Sequence, residues 1–486
     1  MPSLPVFGAP AAPAANCGFA RGCGDAAGAE LPPDVAALVR DHPCYSEEAH
    51  HHFARLHVAV APACNVQCHY CNRKYDCASE SRPGVVSERL GPDDAVRKVL
   101  AVAAAVPELS VVGIAGPGDA LANVEATFAT LAGIRRAAPD LTLCLSTNGL
   151  ALPEHLDRIA AAGVRHVTVT VNMTDPEVGE RIYPWVLHGG RKVRGREASR
   201  LLSERQLEGI AGLRARGVLV KVNAVHIPGV NDGHLPEVIR TVRRAGAFLV
   251  NVVPLISAPE HGTHYGRTGQ RGPTDEELEA VQAACAVDAR LMRHCRQCRA
   301  DAVGRLGEDR FADFALAKLP PGPALDAAEL RAGRREAVAR ARALAARARE
   351  QALQRLAAVP PGLVARVAVA TKGAGRVDQH FGHAREFLLY DVSARGATLA
   401  GRRAVELYCS GGEGEDDALA STLRSLSGCH AVLVAKVGRC PAGQLAEAGI
   451  EAVTAHAFEP IEAAVLAWFE GYAARAAARE AIEPAA

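Results

Sequence analysis

Cys64, Cys68 and Cys71 lie in the run PACNVQCHYCNRKYDC with the spacing C-x3-C-x2-C. Thiolates this close bind metal or exchange disulfides. A closed structural zinc site takes four ligands, and so does a fully ligated cubane iron–sulfur cluster. Three thiolates leave one iron open, and an open iron binds a substrate or cofactor directly. Zinc is the competing reading of the same spacing. The chain has fourteen cysteines, more than one cluster needs. Cys295 and Cys298 form a C-x2-C pair, which suits zinc, a redox pair or a cluster. With Cys77 they could hold a second iron–sulfur cluster. Cys44 precedes the histidine-rich stretch of HPCYSEEAHHH, and Cys144 sits in the strand-like LTLCLS. A lone strand cysteine is ordinarily packing. Joined to Cys44 and an imidazole, a borderline ligand for iron, Cys144 could instead serve a third site. His42 and His50 are the two candidate imidazoles. Cys285 reads as packing, and no role is assigned to Cys17, Cys23, Cys409, Cys429 or Cys440.

A glycine-rich turn, Gly116–Pro117–Gly118–Asp119, follows the run SVVGIA. Glycine lets backbone approach a ligand closely, although Gly-Pro-Gly is also an ordinary turn. Ser146 and Asn148 in STNG, and Asn172 in VTVTVN, stand where further strands end. They are candidate ligand contacts or simple polar caps.

These groups need a frame. Residues 55–255 repeat short Val/Leu/Ile runs, each followed by a segment of helical period. The alternation predicts right-handed βαβ units, strands buried on both faces, and chemistry at the carboxyl ends of the strands. The fold class is therefore α/β, with one more helix over 274–293. Residues 1–35 read as a disordered Pro/Ala/Gly lead and 36–310 as the core with its auxiliary sites. Residues 311–361 read as a solvated Ala/Arg helical linker. A second, smaller α/β domain is expected at 362–471, followed by a flexible tail at 472–486.

Net charge is +1 and aromatic residues are 4% of the chain. Neither electrostatic steering to nucleic acid nor a base-stacking surface follows. No apolar run of about 20 residues predicts a membrane span, and the N-terminus lacks a secretory pattern. A cytoplasmic protein is expected, with its thiols reduced.

The C-x3-C-x-Y-C loop resembles the radical S-adenosylmethionine (SAM) enzymes. That likeness implies a [4Fe–4S] cluster on Cys64, Cys68 and Cys71 whose open iron chelates SAM. It implies that Gly116, Pro117, Gly118 and Asp119 meet the methionine end of SAM, with Ser146, Asn148 and Asn172 as further contacts. The family usually carries Glu where Asp119 stands. The longer motifs HPCYSEEAHHHFARLHVAVAPACNVQCHYCNRKYDC, GIAGPGDAL, LSTNGL, HIPGVND and CRQCRADAVG together resemble the NifB family of nitrogenase cofactor biosynthesis enzymes. Residues 362–470, with DQHFGHAREFLLYDV, resemble the NifX-type domain that binds cofactor precursors. The resemblance implies a radical SAM partial (βα)6 barrel with a ribonuclease H-like small domain. It implies fusion of two further [4Fe–4S] substrate clusters, with an added sulfur and a SAM-derived carbide, into an [8Fe–9S–C] precursor. Cluster delivery proteins, cofactor carrier or scaffold proteins and an electron donor such as ferredoxin would be partners. His380 and His383 could hold product, or simply cap their loop. A radical SAM enzyme acting on a peptide, and a non-enzymatic cluster carrier, are the competing functions.

Overall fold

The computed structural model describes residues 31–72, 88–319, 328–373, 375–405, 407 and 415–482. Cys17, Cys23, Cys77, Cys409 and the lead before residue 31 lie outside them.

The larger sheet runs through β1 (Ala54–His57), β2 (Leu109–Ile114), β3 (Thr142–Thr147), β4 (His166–Thr170), β5 (Leu219–His226) and β6 (Leu249–Pro254). All six are parallel neighbours, and β7 (Val303–Gly304) adds antiparallel to β1. The crossovers are helical, as the alternation predicts. Side chains alternate across a strand. Leu56, Val112, Ile114, Leu143, Leu145, Val167, Val169, Val220 and Val222 point one way into the main core under the helices. The other face is buried too, as expected, but it carries mostly polar residues. Register puts His57 beside Gly113, Gly113 beside Cys144 and Cys144 beside His166 in one row. Arg55 lies one step earlier on that face. The expected helix over 274–293 ends at Ala286, and an irregular segment carries Cys295 and Cys298 back across the sheet to β7.

The smaller domain contains β8 (Val364–Val369), β9 (Glu386–Ser393), β10 (Gly396–Ala404), β11 (Ala431–Leu433) and β12 (Glu451–Val453). Their order is β10–β9–β8–β11–β12, the first three antiparallel and the last two parallel. This is the mixed sheet expected of a ribonuclease H-like domain. Separate cores cover its two faces.

Two expectations are corrected. The linker helix α1 (Ala328–Leu356) is mostly exposed, as expected, but it is docked on both domains rather than free. Arg331 is buried and pairs bidentately with Asp140 at 2.7 Å on both bonds. Arg342 reaches Asp41 and Glu48, while Arg349 and Arg355 reach Glu462 and Glu470 of the small domain. Its arginines are so spaced that both domains supply carboxylates, which charge composition alone does not reveal. The terminal helix Ile461–Ile482 likewise continues past 472, because Tyr472 stacks on Trp468 and Arg475 pairs with Glu451 at 2.8 Å. Among the described residues, no helix is long and apolar enough to cross a membrane.

Candidate cluster and SAM site

After β1 the chain crosses the carboxyl end of the sheet and is joined there to the glycine turn. Ala61 N–H donates to Gly116 O, Gly118 N–H to Ala61 O and Asp119 N–H to Ala63 O, at 3.2, 2.6 and 2.8 Å. Gly118 has no substitute here: a Cβ would stand 2.3 Å from Ala63 O and 2.8 Å from Pro62 O. Asn123 clamps the same spot, donating to Ala63 O at 2.8 Å and accepting from Ala63 N–H at 3.2 Å. Gln67 ties the cysteine loop from within, donating to Cys68 O and Cys71 O at 3.0 and 3.1 Å.

Cys64, Cys68 and Cys71 converge on one cleft of about 630 Å³. Pro117, Gly118, Asp119, Ser146 and Asn148 line it too, so most of the predicted contacts meet there. Gly116 shapes the turn with φ +137° but does not line the cleft. Asp119 faces the cleft with its carboxylate already engaged. It accepts from Leu121 N–H at 2.9 Å, Thr147 hydroxyl at 3.0 Å and Asn148 N–H at 2.5 Å. Burial raises its pKa while those bonds oppose the rise. Asp119 thus fastens the glycine turn to the STNG turn, the role its type and position support best. Asn148 in turn donates to Asn65 Oδ1 at 2.7 Å and toward Cys64 Sγ at 3.7 Å.

Asn172 is corrected. It is fully buried outside the cleft lining, donates to the Tyr70 and Tyr183 hydroxyls at 2.7 and 2.9 Å, and accepts from Val225 N–H at 2.8 Å. It supports the tyrosine of the C-x-Y-C loop from behind. Gln206 was missed by sequence reasoning. From a helix it donates to Asn148 O and Thr170 O at 2.8 and 2.7 Å, and it lines the cleft. Only its helical register after the fourth strand could have hinted at this.

Below the cleft lies the polar inner face. A Cβ on Gly113 would come within 2.6 Å of Cys144 Sγ and 3.3 Å of the His57 ring, so the two side chains share one space. His57 Nδ1 is 2.9 Å from Arg299 O, leaving Nε2 on the Cys144 side. Burial, then the nearby Arg55 charge, lowers the pKa of His57 to about 4, so the ring is neutral at pH 7. A neutral imidazole with its far nitrogen tied to backbone is a ligand-ready form. The two predicted imidazoles have contacts of their own. His42 Nδ1 accepts from Cys44 N–H at 3.2 Å and its ring packs on His166 at 4.4 Å, although its Nε2 is buried without a partner. His50 bonds Glu47 O, and its ring is tilted against His51 at 3.8 Å and stacked on His294 at 4.8 Å. Parallel register, had it been applied to the strand ends, would have pointed to His57.

Cys44, Cys295 and Cys298 pack on one apolar wall with Val39, Tyr45, Leu249, Met292 and Leu306. Burial pushes the Cys44 thiol up to about 11. Asn251 donates to Cys295 Sγ at 3.2 Å. Cys285 is buried in the main core, as expected. In the small domain His380 caps its own loop, accepting from Gly382 N–H at 3.0 Å, with His383 4.8 Å away.

Do these thiols suit a cluster? They are unbridged. Among the described residues no three His, Cys, Asp or Glu converge tightly enough for a single metal ion. Three thiols lining one cleft fit a polynuclear cluster that keeps one iron open.

The comparisons agree. Residues 58–242 match the family model of the radical SAM superfamily, and 364–471 that of the dinitrogenase iron-molybdenum cofactor domain. The FeMo cofactor biosynthesis protein NifB of Herbaspirillum seropedicae is 55% identical, over 93% of this chain and 87% of that protein. Those of Rhodobacter capsulatus and Azotobacter vinelandii are 55% and 53% identical, over 90% of this chain in each case and 97% and 89% of theirs. Methylornithine synthase PylB superposes at a TM-score of 0.35 with 14% identity, over 53% of this chain and 68% of that one, and adds nothing about the site. With the three-thiol cleft in the matched radical SAM segment and the relatives spanning both domains, this chain belongs to the NifB family, the radical SAM enzymes of FeMo cofactor biosynthesis.

Proposed function

We propose that this enzyme fuses two [4Fe–4S] substrate clusters, with an added sulfur and a carbide derived from SAM, into an [8Fe–9S–C] precursor. The observation that carries the reading is the stacking of two thiol-bearing layers. The SAM-type cleft lies above, and the partly buried row and wall of His57, Cys144, Cys44, Cys295 and Cys298 lie below.

Cys64, Cys68 and Cys71 would hold the resident cluster, which with SAM supplies one-electron cleavage to a 5′-deoxyadenosyl radical. The chain's own residues do the rest. The Gly118 turn and Asn148 form the wall that receives the methionine end, held in place by Asp119. Tyr70 and Tyr183, locked by Asn172, close the back of the cleft against water. Cys44, Cys144 and His57 would take one substrate cluster, and Cys295 and Cys298 with Cys77 the other. A neutral imidazole is released more readily than a thiolate, which suits a site that must give up its cargo. One SAM would methylate a cluster sulfide. A second would generate the radical that abstracts hydrogen from that methyl, before further deprotonation leaves carbon. Carrier and delivery proteins and a ferredoxin-type donor would serve these steps, and the small domain would hold product.

The test is anaerobic turnover with methyl-labelled SAM. Label retained in the isolated cluster product, with 5′-deoxyadenosine formed alongside, supports the reading. Deoxyadenosine without label in any cluster would leave a radical SAM enzyme of another substrate, the peptide-directed alternative.

A further inference from the structure

Arg55 is 2% exposed and has no carboxylate partner among the described residues. Its five N–H groups are nonetheless all used. One edge of the guanidinium is a fork onto a single atom: Nε and one terminal nitrogen lie 3.3 and 3.2 Å from Cys298 Sγ. The remaining N–H groups donate to the carbonyls of Gly304, Arg305 and Glu308. Carbonyls are dipoles and cannot cancel a buried charge. A cation enclosed this way costs several kcal/mol unless an anion meets it. Among the described residues, the atom placed to supply that charge is the Cys298 sulfur, with whatever it carries. Lysine would not do the same, because the fork is a property of the planar guanidinium.

We infer that Arg55 is a positioning residue for the auxiliary cluster. It anchors Cys298 through paired N–H···S bonds, offsets the negative charge of the bound cluster and raises its reduction potential. The inference rests on reading Cys295 and Cys298 as a cluster site. Hydrogen bonds to cluster sulfur draw electron density from iron and favour the reduced state. They hold the ligand in place without adding a metal–ligand bond, so the cluster can still leave. The three carbonyl bonds tie the guanidinium to the β7 segment, which fixes the fork relative to β1.

The experiment uses the full chain, reconstituted anaerobically, as wild type, Arg55→Lys and Arg55→Gln. Redox titration by electron paramagnetic resonance reads each cluster's potential, and iron release to a chelator reads retention. Both variants should lower the potential of the Cys295/Cys298 cluster, Gln more than Lys. They should speed its loss about 10–100-fold, the usual effect of removing a partner behind a metal ligand. The SAM-responsive signal should persist and report an intact fold. Wild-type protein labelled with ¹⁵N-arginine needs no variant: the reduced auxiliary cluster should show a guanidinium nitrogen coupling. Unchanged potential and retention in a folded variant, or no such coupling in wild type, would overturn the role of Arg55. A wild type whose iron content is indifferent to Cys295→Ala/Cys298→Ala would instead overturn the cluster site itself, and Arg55 with it.

Discussion

At the scale of the residue, close approach and occupancy decide what each group does. Gly118→Ala should pull the cysteine loop off the glycine turn, since its Cβ would meet backbone that cannot swing aside. Overpacking of this kind costs about 1–3 kcal/mol. Weaker SAM binding by equilibrium dialysis and a lower melting temperature are expected; a variant that binds SAM as wild type does would remove the close-packing argument. His57→Ala should lose one auxiliary cluster's iron while His42→Ala keeps it. Iron analysis of the two variants distinguishes them, and the reverse pattern would return the ligand role to His42 with its unpartnered Nε2. The three clustered cysteines were legible because their chemistry is local: three residues and then two separate them. His57 was not. It meets Cys144 only through the register of three neighbouring strands, with Gly113 between them leaving room. Asn172 misled for a related reason. Its strand-end position was read correctly, but which way its amide turns is set by Tyr70 and Tyr183, far off in sequence.

At the scale of the element, alternation along the strands was legible as βαβ, and so was its consequence that the site crowns the sheet. The polar inner face was hidden in runs such as SVVGIA, although LTLCLS alternates apolar and polar residues and could have shown it. The linker helix shows the same limit. Its arginines read as a solvated face, yet Arg331 is buried against Asp140. Arg331→Ala should destabilise the larger domain by about 1.5–3 kcal/mol, the range for hydrogen bonds to a charged group. Denaturant unfolding measures this, and a loss below about 0.5 kcal/mol would restore the tether reading, as expected of an inert surface change. Burial pushes the Asp140 carboxyl up, but the bonds and charge of Arg331 outweigh it and hold the pKa below 3.8. A depressed acid stabilises the fold above its unfolded pKa. The contribution should therefore be complete at neutral pH and fade as pH falls through the region below 3.8.

At the scale of the whole molecule, the two domains are joined at the segment that carries Cys295 and Cys298. Arg296, between Cys295 and Cys298, pairs with Glu386 on β9, which Arg402 also reaches at 3.3 Å. Glu279 takes Arg403 at 3.2 Å, and Arg293 donates to Ala400 O at 2.8 Å. The small domain thus rests on the segment proposed to hold substrate. Glu386→Ala should raise hydrogen exchange over 293–299 and broaden the auxiliary cluster's resonance without altering SAM cleavage; unchanged exchange would mean the contact does not hold the segment. The central claim is that one SAM-cleaving cluster serves two substrate sites in this single chain. Its most direct test is iron and acid-labile sulfide per chain after anaerobic reconstitution, in wild type and Cys295→Ala/Cys298→Ala, with resonance spectra of the reduced samples. The account predicts about twelve iron, at four per cubane, falling by about four in the variant while SAM still perturbs the remaining signal. Four iron in both would contradict it and leave an ordinary radical SAM enzyme.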